Sequence, residues 1–446
     1  MSKLFGTDGI RGVANVDLTP ELALRIGRAA ALALAKGGDD KRPQVVIGRD
    51  TRASGQMLEG ALIAGLTSAG VDVLLAGVIP TPGVAFLTRR LQLSAGVVIS
   101  ASHNPIEDNG IKFFDGQGLK PPDEKEEEIE RLIEKDDFPR PVAGEVGRVY
   151  SLNNALELYG EFLVGTIEGD LSGLRVVLDC GHGAAYQVAP MVLERLGAEV
   201  IVLNNRPNGA NINVDCGSTH PEVVQRVVLK EGASIGLSHD GDADRVIAVD
   251  ELGNIVDGDS ILAMCGLDLL SRGRLPGKAI AATVYSNMAL RDLFAKAGGS
   301  VVITKAGDRH VLEAMQAHGL ILGGEQSGHI IFLEQNTTGD GILTALNILA
   351  LMKRKQAPLS KLTGVMEPYP QILVNVRVKN KEGLKGNGAI ADRIREAEER
   401  LSPNGRLFVR PSGTEPVIRV MGEGPEEELV KDVVEDLAGY IGGTLN

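Results

Sequence analysis

The sequence has few cysteines and no excess of basic residues, and each absence excludes a class of protein. Its three cysteines among 446 residues, Cys180, Cys216 and Cys265, are widely spaced, which excludes a disulfide framework and a cysteine-based zinc site. The 46 basic residues are outnumbered by 59 acidic ones. A chain of negative net charge gains no affinity by displacing counterions from nucleic-acid phosphates, so we expect no nucleic-acid partner.

Long uninterrupted apolar runs are also absent. The run 71–86 is one of the longest, and it contains Asp72 and two prolines, so it does not predict a membrane-spanning helix. Residues 1–6 lack the apolar core of a signal peptide. These features predict a cytoplasmic protein with no membrane partner.

A pattern of strand, helix and strand does occur, three times along the chain. In each copy an apolar, strand-like run is followed by a helix-compatible stretch and then by two further apolar runs. In the first copy the strand-like run is 45–48, the helical stretch 56–69, and the two further runs 71–75 and 96–99. In the second copy they are 176–179, 184–196, 199–203 and 234–237. In the third copy they are 280–283, 287–298, 300–304 and 319–322. This repeat predicts three similar α/β domains with mixed or parallel sheets.

The last part of the chain follows a different pattern, which predicts a smaller α+β domain with a partly antiparallel sheet. Its strand-like runs are 372–378, 406–410 and 417–421, and its helical stretches are 388–401 and 426–440. Domain boundaries are expected in stretches bearing proline or glycine. We therefore predict four domains around a central cleft, at 1–150, 151–250, 251–367 and 368–446.

Each third apolar run is followed by a polar loop at the same position of the repeat. These loops are 100–105, 238–245 and 323–329. Ligands of open parallel α/β sheets bind outside the carboxyl ends of the strands. Three such domains facing one cleft would therefore bring the three loops together.

The second loop offers three carboxylates in alternation, at Asp240, Asp242 and Asp244. Hard oxygen ligands suit Mg²⁺ or Ca²⁺, and without a cation these groups would repel one another. A solvated acidic turn is the alternative. The spacing also opens an EF-hand loop, but the sixth position, where that motif requires a glycine for its sharp turn, holds Arg245, while the twelfth holds Glu251. We predict a magnesium-type site.

Ser102 lies in the first loop, where an exposed hydroxyl could act as a nucleophile. The loop lacks the G-x-S-x-G elbow of a hydrolase, and the adjacent His103 need not face the hydroxyl. Taken alone, Ser102 is typical of a turn. The metal loop at the matching place of the next repeat favours a phosphoryl group on this serine, because a divalent ion can neutralise its charge.

Two further loops contain donors and acceptors suited to a phosphorylated sugar. Near the C-terminus, guanidinium groups, hydroxyls and a glycine turn form an anion-binding set, although a plain hairpin loop is the alternative. Its members are Arg410, Ser412, Gly413, Thr414 and Arg419. The loop after the third repeat could bind sugar hydroxyls, or it could be a neutral turn with a core histidine. Its candidates are Glu325, Ser327 and His329.

Together these motifs resemble the α-D-phosphohexomutase family, and most closely its bacterial phosphoglucosamine mutase branch. The matching segments are 5–12, 100–105, 240–245, 324–329 and 410–416. The resemblance covers nearly the whole chain. It implies a four-domain enzyme that interconverts glucosamine 6-phosphate and glucosamine 1-phosphate through a phosphoserine and a sugar 1,6-bisphosphate.

The resemblance also implies roles for individual residues. Ser102 is then the phosphorylated serine, and it shares one Mg²⁺ per chain with Asp240, Asp242 and Asp244, while Arg245 supports that charge. Glu325 and Ser327 would hold sugar hydroxyls, and the loop from Arg410 to Thr414, with Arg419, would hold the phosphate that is not reacting. The further catalytic candidates are Lys112, Arg11, His103 and His329. The family also implies a possible homodimer.

Three alternatives remain at this stage. A phosphomannomutase or phosphoglucomutase of the same family would use the same loops, and Gln326, which resembles the glucosamine branch, is a single residue that does not decide the sugar. A metal-dependent sugar phosphatase would use the aspartates to activate water, release inorganic phosphate and carry no covalent phosphoserine. A non-catalytic sensor of sugar phosphates would keep the binding loops, and Ser102→Ala would leave its ligand binding roughly intact.

Overall fold

The structure is a computed structural model, and it describes residues 4–6, 8–35, 42–135, 137–384, 386–411 and 417–445. The chain divides into two compact units. The first comprises Met1–Tyr285 and Gly299–Val365, and the second comprises Ser286–Gly298 and Met366–Asn446. Every helix within the described residues is too short or too polar to cross a membrane.

The described residues form nineteen strands. In chain order they are β1 (Phe5–Gly6), β2 (Gly9–Val13), β3 (Gln44–Arg49), β4 (Asp72–Val78), β5 (Ala95–Ile99), β6 (Asp108–Asp115), β7 (Val149–Ser151), β8 (Arg175–Asp179), β9 (Glu199–Leu203), β10 (Ile235–His239), β11 (Val246–Asp250), β12 (Ile255–Val256), β13 (Ala279–Thr283), β14 (Ser300–Thr304), β15 (Leu322–Gly324), β16 (Ile330–Phe332), β17 (Gln371–Arg377), β18 (Arg406–Pro411) and β19 (Val417–Glu423).

The same residues form fourteen α-helices. They are α1 (Pro20–Ala33), α2 (Ser54–Ser68), α3 (Thr81–Arg90), α4 (Asp123–Lys135), α5 (Ala155–Val164), α6 (Ala185–Arg195), α7 (Glu222–Glu231), α8 (Gly258–Ser271), α9 (Met288–Lys296), α10 (Asp308–His318), α11 (Gly341–Lys355), α12 (Leu359–Thr363), α13 (Gly388–Leu401) and α14 (Glu427–Leu445).

Three sheets of the first unit share one core strand order. That order is β6-β5-β3-β4 in the first sheet, β11-β10-β8-β9 in the second and β16-β15-β13-β14 in the third. In each core three strands pair in parallel. The fourth strand returns antiparallel beside the third. The predicted threefold repeat of α/β domains with mixed sheets is confirmed.

One central strand of each of these sheets is buried along its whole length. Every residue of β5, β10 and β13 is buried. Helices that cover both faces of a sheet exclude water from both, so such strands are continuous apolar runs without alternation. This burial explains why the repeat is visible in the sequence.

The position of one predicted strand is wrong. The apolar run 319–322 predicts a strand, but β15 begins only at Leu322. Gly319 has a left-handed φ of 63° and ends α10, and the Leu320 N–H donates to the Met315 carbonyl at 2.8 Å. Gly319 and Leu320 therefore belong to the cap of the helix, which also uses apolar residues.

The second unit contains an antiparallel sheet in the order β17-β19-β18. Its core combines residues of these strands with residues of α13 and α14, for example Val376, Ile390, Ile418, Val434 and Ile441. The predicted small C-terminal α+β domain is confirmed.

Candidate active site

Ser102 lies in the loop that joins β5 to β6, and its side chain is buried. Its Oγ donates a hydrogen bond to Asp240 Oδ2 at 2.6 Å. Its carbonyl accepts hydrogen bonds from Arg52 Nη2 at 3.1 Å and from Asn213 Nδ2 at 2.8 Å. The φ of Ser102 is 52°, a strained value for a residue with a side chain. The surrounding hydrogen bonds therefore hold the serine in one orientation.

A buried ion pair between Asp50 and Arg52 stabilises the loop that contains Ser102. Arg52 Nε lies 3.0 Å from Asp50 Oδ2, and neither side chain is exposed. The Ser100 hydroxyl donates to Asp50 at 2.6 Å, and Arg52 Nη2 also donates to the Asn104 carbonyl at 2.8 Å. Burial raises the pKa of Asp50, although Arg52 opposes the shift. Sequence reasoning missed both residues, but their place directly after β3, at the carboxyl end of a repeat strand, was an available signal.

The loop between β10 and β11 contains three buried aspartates, Asp240, Asp242 and Asp244. One ligand oxygen from each lies within 4.8 Å of the others. Asp242 Oδ1 and Asp244 Oδ1 are buried and have no hydrogen-bond partner among the residues that the structure describes. Buried carboxylate oxygens without partners are costly, and hard divalent cations prefer such ligands. These residues therefore fit a metal ion.

Lys112, on β6, lies beside this triad. Its Nζ is 2.9 Å from Asp242 Oδ2, 3.8 Å from Asp244 Oδ2 and 2.8 Å from Asp8 Oδ2. Although burial disfavours the ammonium form, Asp242 and Asp8 raise the pKa of Lys112. Burial and the neighbouring carboxylates of Asp244 and Asp242 raise the pKa of Asp240 well above its usual range. The negative charge of the three aspartates thus strongly favours a positively charged group beside them.

Asp8 connects Lys112 to the third repeat. Lys120 Nζ lies 2.6 Å from Asp8 Oδ1 and also pairs with Asp308, the first residue of α10. Arg11 pairs with Asp8 as well, and its Nη1 donates to Asn104 Oδ1 at 3.0 Å. Sequence reasoning identified Arg11 and Lys112 but missed Asp8, Lys120 and Asp308, because no local pattern records which loops of different repeats meet.

A polar cavity of about 480 Å³ lies at this junction. Of the predicted site residues, its lining includes Arg11, His103, Asp244, Arg245, Glu325 and His329. Ser327 lies in the same turn as Glu325 but is exposed and is not among the described residues that line the cavity. The first unit therefore brings together candidates from all three repeats.

The two histidines of the cavity have different environments. His103 Nδ1 lies 3.3 Å from Ser102 Oγ, and burial, with the positive charges of Arg245 and Arg11, lowers the pKa of His103 to about 4. His329 Nδ1 lies 3.6 Å from Asp244 Oδ2. Burial disfavours its charged form, but Asp244 outweighs that effect and raises the pKa of His329. His103 is therefore neutral near pH 7, whereas Asp244 shifts the pKa of His329 upward, and His329 Nε2 accepts the Gly339 N–H at 3.1 Å.

The predicted anion-binding residues belong to the second unit. Arg410 on β18 and Arg419 on β19 are directly paired across the two strands, so their side chains lie on the same face of the sheet. Ser412, Gly413 and Thr414 lie outside the described residues.

Comparisons with known proteins agree with this architecture. The chain matches four domains described as phosphoglucomutase/phosphomannomutase: the alpha/beta/alpha domain I at 2–140, domain II at 158–253, domain III at 257–369 and the C-terminal domain at 373–439. It is 54% identical to a phosphoglucosamine mutase of Desulforamulus reducens, over 99% of this chain and 100% of that protein. A phosphoglucosamine mutase of Carboxydothermus hydrogenoformans is also 54% identical, over 99% of both chains.

Solved structures show the same fold. A phosphoglucomutase/phosphomannomutase family protein from Burkholderia thailandensis superimposes with a TM-score of 0.82 at 27% identity, covering 98% of this chain and 97% of that one. The N-acetylphosphoglucosamine mutase of Aspergillus fumigatus has a TM-score of 0.70 at 19% identity, covering 99% and 96% of the two chains. The chain belongs to the phosphoglucomutase/phosphomannomutase family, the α-D-phosphohexomutases.

Proposed function

We propose that this chain is a phosphohexose mutase that interconverts glucosamine 6-phosphate and glucosamine 1-phosphate. The observation that carries the reaction type is the contact between the Ser102 hydroxyl and a buried acidic triad, at 2.6 Å from Asp240. The choice of glucosamine rests on the relatives named phosphoglucosamine mutase, which are 54% identical over 99% of the chain.

In this proposal Ser102 carries a phosphoryl group, and Asp240, Asp242 and Asp244 hold Mg²⁺ beside it. The cation would supply neutralisation of the phosphoryl charge. Lys112 and Arg245 add fixed positive charge to the same place: Lys112 is buried against Asp242 at 2.9 Å, and the guanidinium Nε of Arg245 lies 3.7 Å from Asp244 Oδ1. Phosphoryl transfer requires such positioning and charge stabilisation more than covalent assistance.

The proposed reaction has two transfers. In the first, the bond between phosphorus and Ser102 Oγ breaks and a bond to the free hydroxyl of the sugar monophosphate forms, giving a sugar 1,6-bisphosphate. In the second, the other phosphoryl group of the bisphosphate moves to Ser102 Oγ. A proton passes from the sugar oxygen to the serine oxygen in the first transfer and back in the second, so no net proton is consumed. His103, at 3.3 Å from Ser102 Oγ, lies within reach of that proton.

The remaining candidates would hold the sugar and its second phosphate. Glu325 lines the cavity and its Oε1 accepts the Gly307 N–H at 3.0 Å, which fixes the carboxylate for sugar hydroxyls. We assign Ser327 to the same task, and we assign Arg410, Arg419 and the loop 412–414 to the phosphate that does not react. Arg11 and His329, which also line the cavity, would stabilise anionic groups of the substrate.

Mass analysis of the intact purified protein tests the reaction type. We expect one phosphate on Ser102, lost when the protein is incubated with glucosamine 6-phosphate and recovered as a sugar bisphosphate. Ser102→Ala should carry no phosphate and lose mutase activity, whereas Ser172→Ala, at an exposed serine of the same unit, should behave as the wild type. Release of inorganic phosphate instead would indicate a phosphatase, and an unphosphorylated protein that only binds the sugar phosphate would indicate a sensor.

A comparison of substrates tests the sugar. Isomerisation of glucosamine, glucose and mannose phosphates is measured under the same conditions with the phosphorylated enzyme. We expect the highest kcat/KM for glucosamine phosphate. A higher kcat/KM for the glucose or mannose compound would place the chain with the phosphoglucomutases or phosphomannomutases of the family.

A further inference from the structure

Asp242 is held by a residue of the first repeat that lies far away in the chain. Thr81, the first residue of α3, is buried. Its Oγ1 donates to Asp242 Oδ2 at 2.6 Å, and its backbone N–H donates to the Asp242 carbonyl at 3.0 Å. One residue thus binds both the main chain and the side chain of a predicted metal ligand.

The two carboxylate oxygens of Asp242 have different surroundings. Oδ2 accepts hydrogen bonds from both Thr81 Oγ1 and Lys112 Nζ, the latter at 2.9 Å. Oδ1 is buried and has no hydrogen-bond partner within the described ranges of the chain. Two donors on one oxygen fix the rotation of the carboxylate and leave the other oxygen available as a ligand.

The hydroxyl of Thr81 is not needed to build its own helix. Thr88, on the same helix, shows the usual alternative, because its Oγ1 donates to the Val84 carbonyl one turn earlier, at 2.8 Å. The Thr81 hydroxyl instead bonds to Asp242. Since the Thr81 N–H already ties the main chain of the metal loop to α3, loss of the hydroxyl would leave the loop attached and free only the carboxylate.

We propose that Thr81 is a positioning residue for the divalent cation: its hydroxyl orients the Asp242 carboxylate so that Oδ1 can act as a ligand. This inference rests on the proposed function, which places a cation at the triad. Mutation of a group that hydrogen-bonds to a metal ligand typically lowers the metal affinity about 10- to 100-fold, even though that group does not touch the metal.

The test measures the affinity of the full-length protein for Mn²⁺, from the electron paramagnetic resonance signal of the free ion. Thr81→Val removes the hydroxyl at nearly constant volume, and we expect it to weaken Mn²⁺ binding about 10-fold or more. Thr81→Ser restores a hydroxyl and should bind Mn²⁺ within about 3-fold of the wild type. Thr88→Val is the matched control, since it makes the same change at a buried position of the same helix, and its affinity should equal that of the wild type.

Circular dichroism and thermal unfolding are recorded for every variant. If Thr81→Val is not folded, Thr81→Ala takes its place, because it removes the hydroxyl without adding a methyl group there. Wild-type affinity in the folded variant without the hydroxyl, or an equal loss in Thr88→Val, would overturn the role of Thr81. A wild-type protein that binds no Mn²⁺, or an Asp242→Asn variant that binds it unchanged, would overturn the metal site itself.

Discussion

At the scale of single residues, the orientation of Ser102 depends on groups that never face the cavity. Its left-handed φ of 52° is held by hydrogen bonds from Arg52 and Asn213 to its carbonyl. A strained backbone of this kind costs about 1–3 kcal/mol, and it persists only where the surroundings determine it. Arg52, which donates to the carbonyls of Ser102 and Asn104, therefore helps to fix the geometry of the loop without lining the cavity.

We expect Arg52→Met to destabilise the protein by about 3–5 kcal/mol, because it leaves the buried Asp50 carboxylate without its partner. The measurement is the urea midpoint of unfolding. The control is Arg195→Met, which breaks an exposed pair with Glu157 and should cost less than about 1 kcal/mol.

The double variant Asp50→Asn with Arg52→Met tests the cause. It removes both charges, so we expect it to be more stable than Arg52→Met alone. A double variant less stable than either single variant would show that Asp50 and Arg52 act separately.

The residues of the site differ in how far the sequence predicts them. Ser102 and the three aspartates are predictable because their loops follow equivalent strands of a repeat, and topology alone brings such loops together. Arg52 followed another of these strands, so the same rule could have found it. Thr81 and Lys120 could not be found in this way, since their partners Asp242 and Asp308 belong to other repeats and the contacts depend on packing.

At the scale of secondary-structure elements, the close approach of two loops requires a residue without a side chain. A Cβ on Gly241 would lie 2.6 Å from the Ser102 carbonyl oxygen, well inside contact distance. Gly241 therefore allows the loop between β10 and β11 to lie directly against the loop after β5. This contact places the acidic triad beside the serine hydroxyl.

Gly241→Ala should separate the two loops. We expect a loss of stability of about 1–3 kcal/mol, as for overpacking of a core, together with weaker Mn²⁺ binding and lower mutase activity. Gly60→Ala is the control, because Gly60 is exposed on α2 and a Cβ there meets nothing within 4 Å in the described part of the chain. That change should be neutral or stabilise by up to about 1 kcal/mol. Equal effects of the two substitutions would contradict the importance of this contact.

Strands and helices can be predicted from the sequence where their burial produces a simple pattern of apolar residues. Strands buried on both faces, such as β5 and β13, stand out as short apolar runs bounded by polar loops. The start of β15 was misplaced because the cap of α10 is also apolar. The antiparallel pairing of β6, β11 and β16 could not be read from their composition, since it follows from the hairpin that joins each to the preceding strand.

At the scale of the whole molecule, buried thiols couple stability to pH. Cys265 on α8 is buried, and burial, assisted by Asp268, raises its pKa from 9.0 to about 12. An unfolded chain therefore releases this proton near pH 9, whereas the native protein keeps it. The thiol contributes stability that is fully present below the unfolded pKa and is lost as the pH rises towards the folded pKa.

We expect this loss to be visible in a comparison with Cys265→Ala. Between about pH 9.5 and 10.5, the free energy of unfolding of the wild type should fall by about 1.4 kcal/mol more than that of the variant. Denaturant unfolding at each pH measures the difference, and the pH-independent cost of removing the sulfur cancels in the slopes. Identical slopes would show that the native environment does not perturb this thiol.

The central claim is that a cation held by three aspartates lies against the oxygen of Ser102. Its most direct test is anomalous diffraction from crystals of the full-length protein grown with Mn²⁺. We expect one strong peak coordinated by Asp240, Asp242 and Asp244, adjacent to Ser102 Oγ or to a phosphoryl group on it. A triad turned out into solvent, or Mn²⁺ bound far from Ser102 with the triad empty, would contradict the claim.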